Sequence, residues 1–411
     1  MKKIFSLLLA VLTAFAAKAQ TFGEYISEVE RSNAAYLAEK YNVEIADAQA
    51  IAAKVFNDPE LTADFSDNQD RTLMMGRSVE LGLSYNVNLA NARKARIDVA
   101  HEEAQVTRAL LEDYFRSLRC EAIEAWALAW EAKSILSLKR TSSESMDRIA
   151  ASDSLRAALG EIGRTDAMQS SIEARAMKGD LLQAEADYAN ALTTLSVMAG
   201  GMTFTDIPEE GLGLSLSERP MDELVAIAQG RRADLRAAYL SKSLSQKNLA
   251  LVKALRSPEV GFNVGYSYNT EVRNEIAPAP LFHGVTVGVS IPLKFSSANK
   301  GERVAAEKAA QQADAAYEAA LQQIEAEVRM AWSSYKAALL AREKCSDQML
   351  SDARTILESR KAAYSQGDSS LLDYLLAVRV YNDTAEACIG AKSAVITAAA
   401  RLLAAVGCES L

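Results

Sequence analysis

Few side chains in this sequence are arranged for catalysis or metal binding. The two histidines, His101 and His283, lie far apart, and neither has a neighbouring group suited to acid–base or metal chemistry. No nucleophile-elbow, Walker or HExxH motif occurs, and Gly211 with Gly213 lacks the third glycine of a dinucleotide-binding loop. We therefore expect no catalytic residue, cofactor or metal site, and predict that the protein is not an enzyme.

Two of the four cysteines are placed where they could form a covalent link. Cys345 lies 22 residues before Gly367 and Cys388 lies 21 residues after it, so a hairpin turning at Gly367 brings them to similar height. An exported chain permits a disulfide between them. The alternative is that both are small apolar core residues, because Cα separations in coiled coils often exceed the ~7 Å that a disulfide tolerates.

The N-terminus predicts export. Two lysines precede an apolar run from Ile4 to Ala17, and the run ends in an Ala-x-Ala cleavage site. This pattern favours a signal peptide over residues 1–19 rather than a membrane anchor, because the run is too short to span a bilayer. No later run of 18 apolar residues occurs, so we expect no membrane-spanning helix.

Charge and composition narrow the function further. The formal net charge is −9, which disfavours nucleic-acid binding because phosphate affinity needs clustered Lys and Arg. Only 7 prolines and 19 glycines interrupt the 411 residues, and Ala, Glu, Gln, Lys and Arg dominate two long stretches. This composition predicts long helices rather than two or three ordinary globular domains.

The chain contains an internal duplication. Pro59 and Pro258 lie in similar sequence at an offset of 199 residues, whereas Gly160 and Gly367 are offset by 207. A constant offset on each side of one longer loop, at 270–282, is hard to obtain by chance. The expected domains are a first repeat, an inter-repeat linker, a second repeat and a C-terminal tail, at residues 20–200, 201–230, 231–407 and 408–411.

A pair of strands is expected in each repeat, over residues 60–87 and 259–293. Apolar residues alternate with small or polar ones, as at Val264, Tyr266 and Tyr268, and a period of two predicts half-buried strands. A membrane β-barrel shows this alternation, but so does a sandwich strand that faces one core. Both interpretations stay open at this stage.

One very long helical run follows each strand pair, over 89–158 and 297–364. At the helical rise of 1.5 Å per residue each run reaches about 100 Å, which is too long for a compact domain. Apolar residues recur every seven residues, so we predict coiled-coil packing. A structural envelope coiled coil explains these helices but not the matched strand pairs.

A turn motif ends each long run. The motifs combine a turn glycine with a nearby Thr–Asp pair in one case and a preceding Tyr and following Asp in the other. Their residues are Gly160, Thr165, Asp166, Tyr364, Gly367 and Asp373. These motifs lie at matching positions of the two copies, and a proline precedes each strand pair. With these features the chain resembles the TolC family of outer-membrane efflux proteins over nearly all of its mature sequence.

The resemblance implies a mainly α fold with a membrane β part. Three protomers would close a 12-stranded outer-membrane β-barrel, four strands from each, continued by a long periplasmic α-helical barrel of coiled-coil hairpins. The short helices 22–57 and 165–200 would stack end to end, and the linker would lie in an equatorial belt. The expected tip turns are 159–166 and 364–373.

The implied function is that of a passive exit duct in a tripartite pump. The expected partners are two further copies of the chain, outer-membrane lipid, a periplasmic adaptor and an inner-membrane transporter. Two alternatives remain, a type I protein secretion duct and a structural periplasmic coiled-coil scaffold without a conduit. The expected location is the outer membrane, extending into the periplasm.

The resemblance also implies a gate at the periplasmic tip. Tyr364 and Asp166 would form hydrogen bonds between hairpins, and Asp373 would form an acidic ring across the lumen. The chain departs from the family pattern at Ser369, where the family has Arg, and at Leu376, where it has a second Asp. A helix-capping or surface role for the two aspartates is the alternative.

Overall fold

The computed structural model describes most of the chain. The described residues are 21–68, 74–88, 90–209, 216, 219–257, 259–292 and 299–408. The predicted signal peptide, Pro258, the Gly211–Gly213 pair and the residues beyond Cys408 lie outside the described residues.

The two copies repeat one order of elements. In the first copy these are α1 (Phe22–Ser32), α2 (Ala34–Ala52), β1 (Glu60–Asp67), β2 (Arg77–Asn88), α3 (Ala92–Ala158) and α4 (Arg164–Met198). In the second copy they are α5 (Met221–Arg231), α6 (Ala233–Leu255), β3 (Glu259–Asn269), β4 (Phe282–Ser290), α7 (Asn299–Lys344), α8 (Asp347–Gln366) and α9 (Leu371–Val406).

The prediction of one helix over 22–57 is wrong, because the chain breaks at Asn33. Asn33 has an extended backbone with φ −64° and ψ 117°. Its side-chain oxygen accepts a hydrogen bond from the Tyr36 amide at 3.0 Å, and its side-chain nitrogen donates to the Met198 carbonyl at 3.0 Å. Asn33 therefore ends α1, caps the start of α2 and caps the end of α4.

Arg232 makes the equivalent break in the second copy. It is also extended, with φ −67° and ψ 127°, and is only 4% exposed. Its guanidinium donates to the Ala405 carbonyl at 3.2 Å and to the Glu327 carboxylate at 2.6 Å. The segment 201–230, expected to be a linker, therefore includes α5, the counterpart of α1 at an offset of 199.

The long helix expected over 297–364 is also divided. α7 ends at Lys344, and Ser346 starts α8 by accepting a hydrogen bond from the Met349 amide at 3.2 Å. A serine cap of this kind competes with continuation of the helix, because its side chain takes the place of a backbone carbonyl. The first-copy counterpart, α3, runs unbroken from Ala92 to Ala158.

The strands form one antiparallel sheet in the order β1-β2-β3-β4. The register places Leu61, Leu83, Val264 and Val287 side by side across the four strands. These four side chains are between 51% and 75% exposed. The neighbouring row on the other face consists of small or hydroxyl-bearing residues, namely Thr62, Gly82, Gly265 and Thr286.

The alternation predicted from the sequence is therefore confirmed. One face of the sheet is apolar and the other is polar. In the described part of the chain no second sheet covers the apolar face, which excludes a sandwich core within one protomer. The apolar face and the free edges of β1 and β4 stay open to outside partners.

The helices group into two compact units. One unit holds the chain up to Lys40 together with Leu111–Ala233 and the chain from Leu321 onward. One core of this unit surrounds Tyr25 and Trp126, whose ring centroids lie 5.3 Å apart. The other unit holds Tyr41–Leu110 and Asp234–Ala320, and contains the sheet.

The helix α9 qualifies as a membrane span by length and composition, although the sequence predicted no membrane-spanning helix. Its most apolar window has a mean hydropathy of 1.5, but 56% of that window is buried in the fold. Burial of this kind is typical of a core helix. We therefore assign α9 to the core of its unit.

A pair of adjacent glycines tests the packing at the break beside Asn33. Gly200 and Gly201 both have positive φ, so alanine at either position should cost about 1–2 kcal/mol of backbone strain. A Cβ on Gly200 would also lie 2.3 Å from the Ser32 carbonyl oxygen, whereas one on Gly201 meets nothing within 4 Å. Gly200→Ala should therefore destabilise by a further ~1–3 kcal/mol. Thermal unfolding followed by circular dichroism would measure the stability of both variants. Equal losses of stability for alanine at Gly200 and at Gly201 would contradict the close approach of Gly200 to Ser32.

Candidate functional site

The two turn motifs fold into the same kind of helix ending. Gly160 has φ +82° and Gly367 has φ +85°, a left-handed conformation that glycine adopts without strain. In the second turn the Asp368 amide donates to the Ala363 carbonyl at 2.9 Å, which ends α8. Both glycines therefore lie where a helix ends in a left-handed turn.

One apolar cluster joins the helices on both sides of these turns. It draws residues from α3, α4, α8 and α9, and its buried members are Met146, Ile149, Ala174, Tyr364, Leu371, Tyr374 and Val378. Tyr364 belongs to the second motif, but it packs against helices of the first hairpin. The two tips of one protomer are therefore held together by side-chain packing.

Tyr364 lies at the centre of this cluster. Its ring stacks on Tyr374 with the centroids 5.8 Å apart and an angle of 9° between the planes. The guanidinium carbon of Arg156 lies 5.8 Å from the centroid of the Tyr364 ring. Only 6% of the residue is exposed, and its hydroxyl finds no partner with good hydrogen-bond geometry among the described residues.

Asp153 is the nearest acidic partner of that hydroxyl. It is 1% exposed, and its Oδ2 also lacks a partner with good geometry in the described part of the chain. Its Oδ1 lies 3.9 Å from the guanidinium of Arg156. Burial is the main cause of a raised pKa at Tyr364, and interaction with the Asp153 carboxylate is the next. The phenol therefore stays protonated and faces a buried carboxylate.

Asp153 and Arg156 were not predicted from the sequence as residues of the tip. The family resemblance pairs Tyr364 with Asp166, but Asp166 is exposed and contributes least to the raised pKa of Tyr364. A signal for Asp153 was present, because it continues the buried stripe of Met146 and Ile149 at helical spacing. An acidic residue on an apolar stripe is costly unless it has a partner.

Asp166 and Thr165 lie in the first turn of α4. The residue that caps this helix is Gly163, which has no side chain to accept a backbone hydrogen bond. A carboxylate at this place stabilises the helix through its dipole. This position fits the capping role that the sequence left open for Asp166.

Asp373 belongs to a capping box at the start of α9. The Ser370 hydroxyl donates to the Asp373 carboxylate at 2.7 Å and accepts from the Asp373 amide at 3.2 Å. The Ser369 hydroxyl adds a longer contact to the same carboxylate, at 3.4 Å. The hydrogen bonds from Ser370 are the main reason that the pKa of Asp373 is lowered. Ser369, where the family has Arg, thus serves the cap.

The two cysteines singled out by sequence lie together. Cys345 is half-buried at the break between α7 and α8, and Cys388 is buried on α9. Burial raises the pKa of the Cys388 thiol to about 11, and a hydrogen bond with Cys345 contributes. Both thiols are free in this structure.

The histidines are not brought into a metal site. No group of three or more His, Cys, Asp or Glu side chains in the described residues is arranged to hold a metal. His283 lies on β4, where its Nδ1 is 2.6 Å from the Tyr266 hydroxyl on β3. Such a contact is an ordinary cross-strand pair.

The buried phenol predicts a specific alkaline sensitivity. Because the pKa of Tyr364 is raised in the fold, stability is fully present below the ordinary tyrosine pKa of about 10 and falls as the pH rises above it. Tyr364→Phe has no such proton to lose. The melting temperature of this variant should therefore drop less between pH 8 and pH 11 than that of the wild type. Equal drops would contradict the assignment.

A family comparison covers the second copy. Residues 224–408 match the family model described as outer membrane efflux protein. No curated protein sequence matches the chain.

Several solved channels share the fold. CmeC of Campylobacter jejuni has a TM-score of 0.80 at 14% identity, over 95% of this chain and 86% of its own. MtrE of Neisseria gonorrhoeae, in its open state, has a TM-score of 0.74 at 19% identity, over 94% and 89%. VceC of Vibrio cholerae has a TM-score of 0.71 at 17% identity, over 94% and 96%.

These findings agree with the duplication and with the turn motifs. At such identities the likeness to the solved channels establishes the fold, while the family match carries the sequence relationship and the predicted outer-membrane location. The resemblance to TolC-like outer-membrane efflux proteins is therefore confirmed, by the family match over residues 224–408 and by the fold over nearly all of the described chain.

Proposed function

We propose that the protein is the outer-membrane exit duct of a tripartite efflux pump and passively conducts small molecules such as drugs or metals. The observation that carries this proposal is the sheet with one exposed apolar face, in a chain whose second copy matches the outer membrane efflux family. An apolar face of this kind is unfavourable in a soluble scaffold, because water would cover it. A type I protein secretion duct remains the alternative, because a wide polar lumen suits either cargo.

The open sheet supports a trimer. A four-stranded sheet exposes unpaired backbone groups along β1 and β4, and three copies would pair these edges into a 12-stranded barrel. The apolar face would then contact lipid and the polar face would line the lumen. The adaptor and the inner-membrane transporter enter as partners because the family resemblance implies them.

Exposed apolar residues near the turns also support assembly. On the first hairpin Leu155 and Ile172 are 63% and 65% exposed, and on α9 Leu372 and Leu376 are 68% and 58% exposed. Leu372 and Leu376 are four residues apart, so they lie on one side of α9. Stripes of this kind are suited to packing between hairpins of neighbouring protomers, which would bring six hairpins to one tip.

The proposal is tested by purification and conductance. The full chain, extracted from the envelope in detergent, should run as a trimer by native mass spectrometry and should give discrete conductance steps in planar lipid bilayers. Release of the protein by salt or osmotic shock, as a monomer without conductance, would overturn the duct in favour of the scaffold.

The orientation of the sheet predicts opposite effects at two adjacent residues. Val287 and Thr286 are both exposed, but they lie on opposite faces of β4. If the apolar face contacts lipid, Val287→Arg should cost about 2–4 kcal/mol near the bilayer midplane and hinder trimer assembly. Thr286→Arg should assemble normally, because it faces Gly265 and a wet lumen. Equal trimer assembly of the two variants, measured in membrane fractions, would contradict a lipid-facing apolar side of the sheet.

The charge of Asp373 can be separated from its capping role. Asp373→Gln keeps a side chain that can complete the capping box but removes the charge. Ser370→Ala keeps the charge but removes the cap, at a cost of about 1 kcal/mol. If Asp373 forms a lumen ring, Asp373→Gln should lower cation selectivity in bilayers and Ser370→Ala should not. A selectivity change in neither variant, with intact trimers, would leave Asp373 as a cap alone.

A further inference from the structure

The break between α7 and α8 is a difference between the two copies. At the offset of 207 the first-copy counterparts of Cys345 and Ser346 are Leu138 and Lys139, which lie inside the unbroken helix α3. In the second copy the backbone leaves the helix at Cys345 and restarts after Ser346. The second hairpin therefore has a joint that the first one lacks.

A pair of thiols lies at this joint. Cys388 lies on the antiparallel helix α9, nearly as far beyond Gly367 as Cys345 lies before it, and the neighbouring Cys345 thiol contributes to the raised pKa of Cys388. Cys388 is 4% exposed, whereas Cys345 is half-buried and therefore open to reagents. The charged groups that act on Cys388 are Lys392, which favours the thiolate, and Asp347, which opposes it. The geometry thus offers one accessible thiol with one buried partner.

We propose that Cys345 and Cys388 form a reversible disulfide that ties the α7–α8 joint to α9. The step transfers two electrons from the two thiols to the disulfide of an exported thiol–disulfide oxidoreductase. The accessible Cys345 attacks first and forms a mixed disulfide, and Cys388 then displaces the oxidoreductase as its thiol. The products are the Cys345–Cys388 disulfide and the reduced dithiol of the oxidoreductase, which carries the two protons that the cysteines lose.

The link would close a covalent loop around the second turn. The loop holds all of α8, the turn at Gly367 and the first half of α9, and therefore Tyr364 and Asp373. Closing it restricts the joint, because α8 can no longer swing about Ser346 independently of α9. The outer-membrane family match places the chain in a compartment where disulfides persist.

The remaining thiols provide internal controls. Burial raises the pKa of Cys120 to about 12, and its nearest acidic group is Glu124 at 3.6 Å. Cys408 lies near Arg231 at the end of α9. Neither residue is part of the segment between α7 and α8. The double variant Cys120→Ser/Cys408→Ser leaves only the proposed pair and makes no change at the helix break.

The test is chemical and does not depend on conduction. The full-length wild type and the double variant are extracted with a maleimide present, denatured without reductant, and analysed by mass spectrometry. We expect two maleimide adducts in the wild type and none in the double variant, with a peptide that links Cys345 to Cys388. Dithiothreitol should raise these counts to four and two. Closure by oxidised glutathione should be faster at pH 9 than at pH 7, because the thiolate is the attacking form of a cysteine.

A second measurement tests whether the disulfide restricts motion of α8 at the joint. Hydrogen exchange of the amides following Ser346 should be at least several-fold slower in the oxidised than in the reduced double variant. Two free thiols in the double variant, both as extracted and after oxidised glutathione, would overturn the proposal. A linkage of Cys345 to Cys120 or Cys408 in the wild type would overturn it as well. A channel that conducts with both thiols free would leave the proposed function standing without the disulfide.

Discussion

The exposed apolar face of the β-sheet is the constraint on which the rest of the structure depends. Val264 and Val287 are paired on that face and are 52% and 75% exposed, so burial of this surface must come from outside the protomer. The edge strands β1 and β4 likewise carry backbone N–H and C=O groups that have no partner strand within the sheet. In the proposed barrel, lipid would cover this face and the strands of neighbouring protomers would cover the edges.

Both copies end a packed helix in the same way, with a side chain from another helix break that donates to a carbonyl at the helix end. Asn33 donates to the Met198 carbonyl in the first copy, and Arg232 donates to the Ala405 carbonyl in the second. Met198 and Ala405 are themselves offset by 207 residues. Each contact satisfies a terminal carbonyl that would otherwise lack a partner, and each uses a residue that interrupts the neighbouring helix. Amide and guanidinium serve the same purpose, so the geometry is retained although the residue type differs.

The copies diverge where the duct is expected to be regulated. The first hairpin contributes Asp153 and Arg156 to the surroundings of Tyr364, while the second contributes the joint at Cys345 and the capping box at Asp373. The family arginine is absent at Ser369, and the guanidinium that lies near the Tyr364 ring is that of Arg156 on the facing helix α3.

Periodicity by itself determined the architecture: the duplication, the strand pairs, the long helices and both turn glycines follow from local patterns of one chain. Side-chain alternation has a period of two, so it also fixed which strand residues share a face. Only the tertiary structure decided that helices break at Asn33 and Arg232, because their side chains bond to carbonyls that are distant in sequence, those of Met198 and Ala405. It also brought Asp153 close to Tyr364, since spacing along a helix does not reveal which neighbours a buried hydroxyl meets. Contacts between elements distant in sequence carry no local signature, and the tip cluster consists of such contacts.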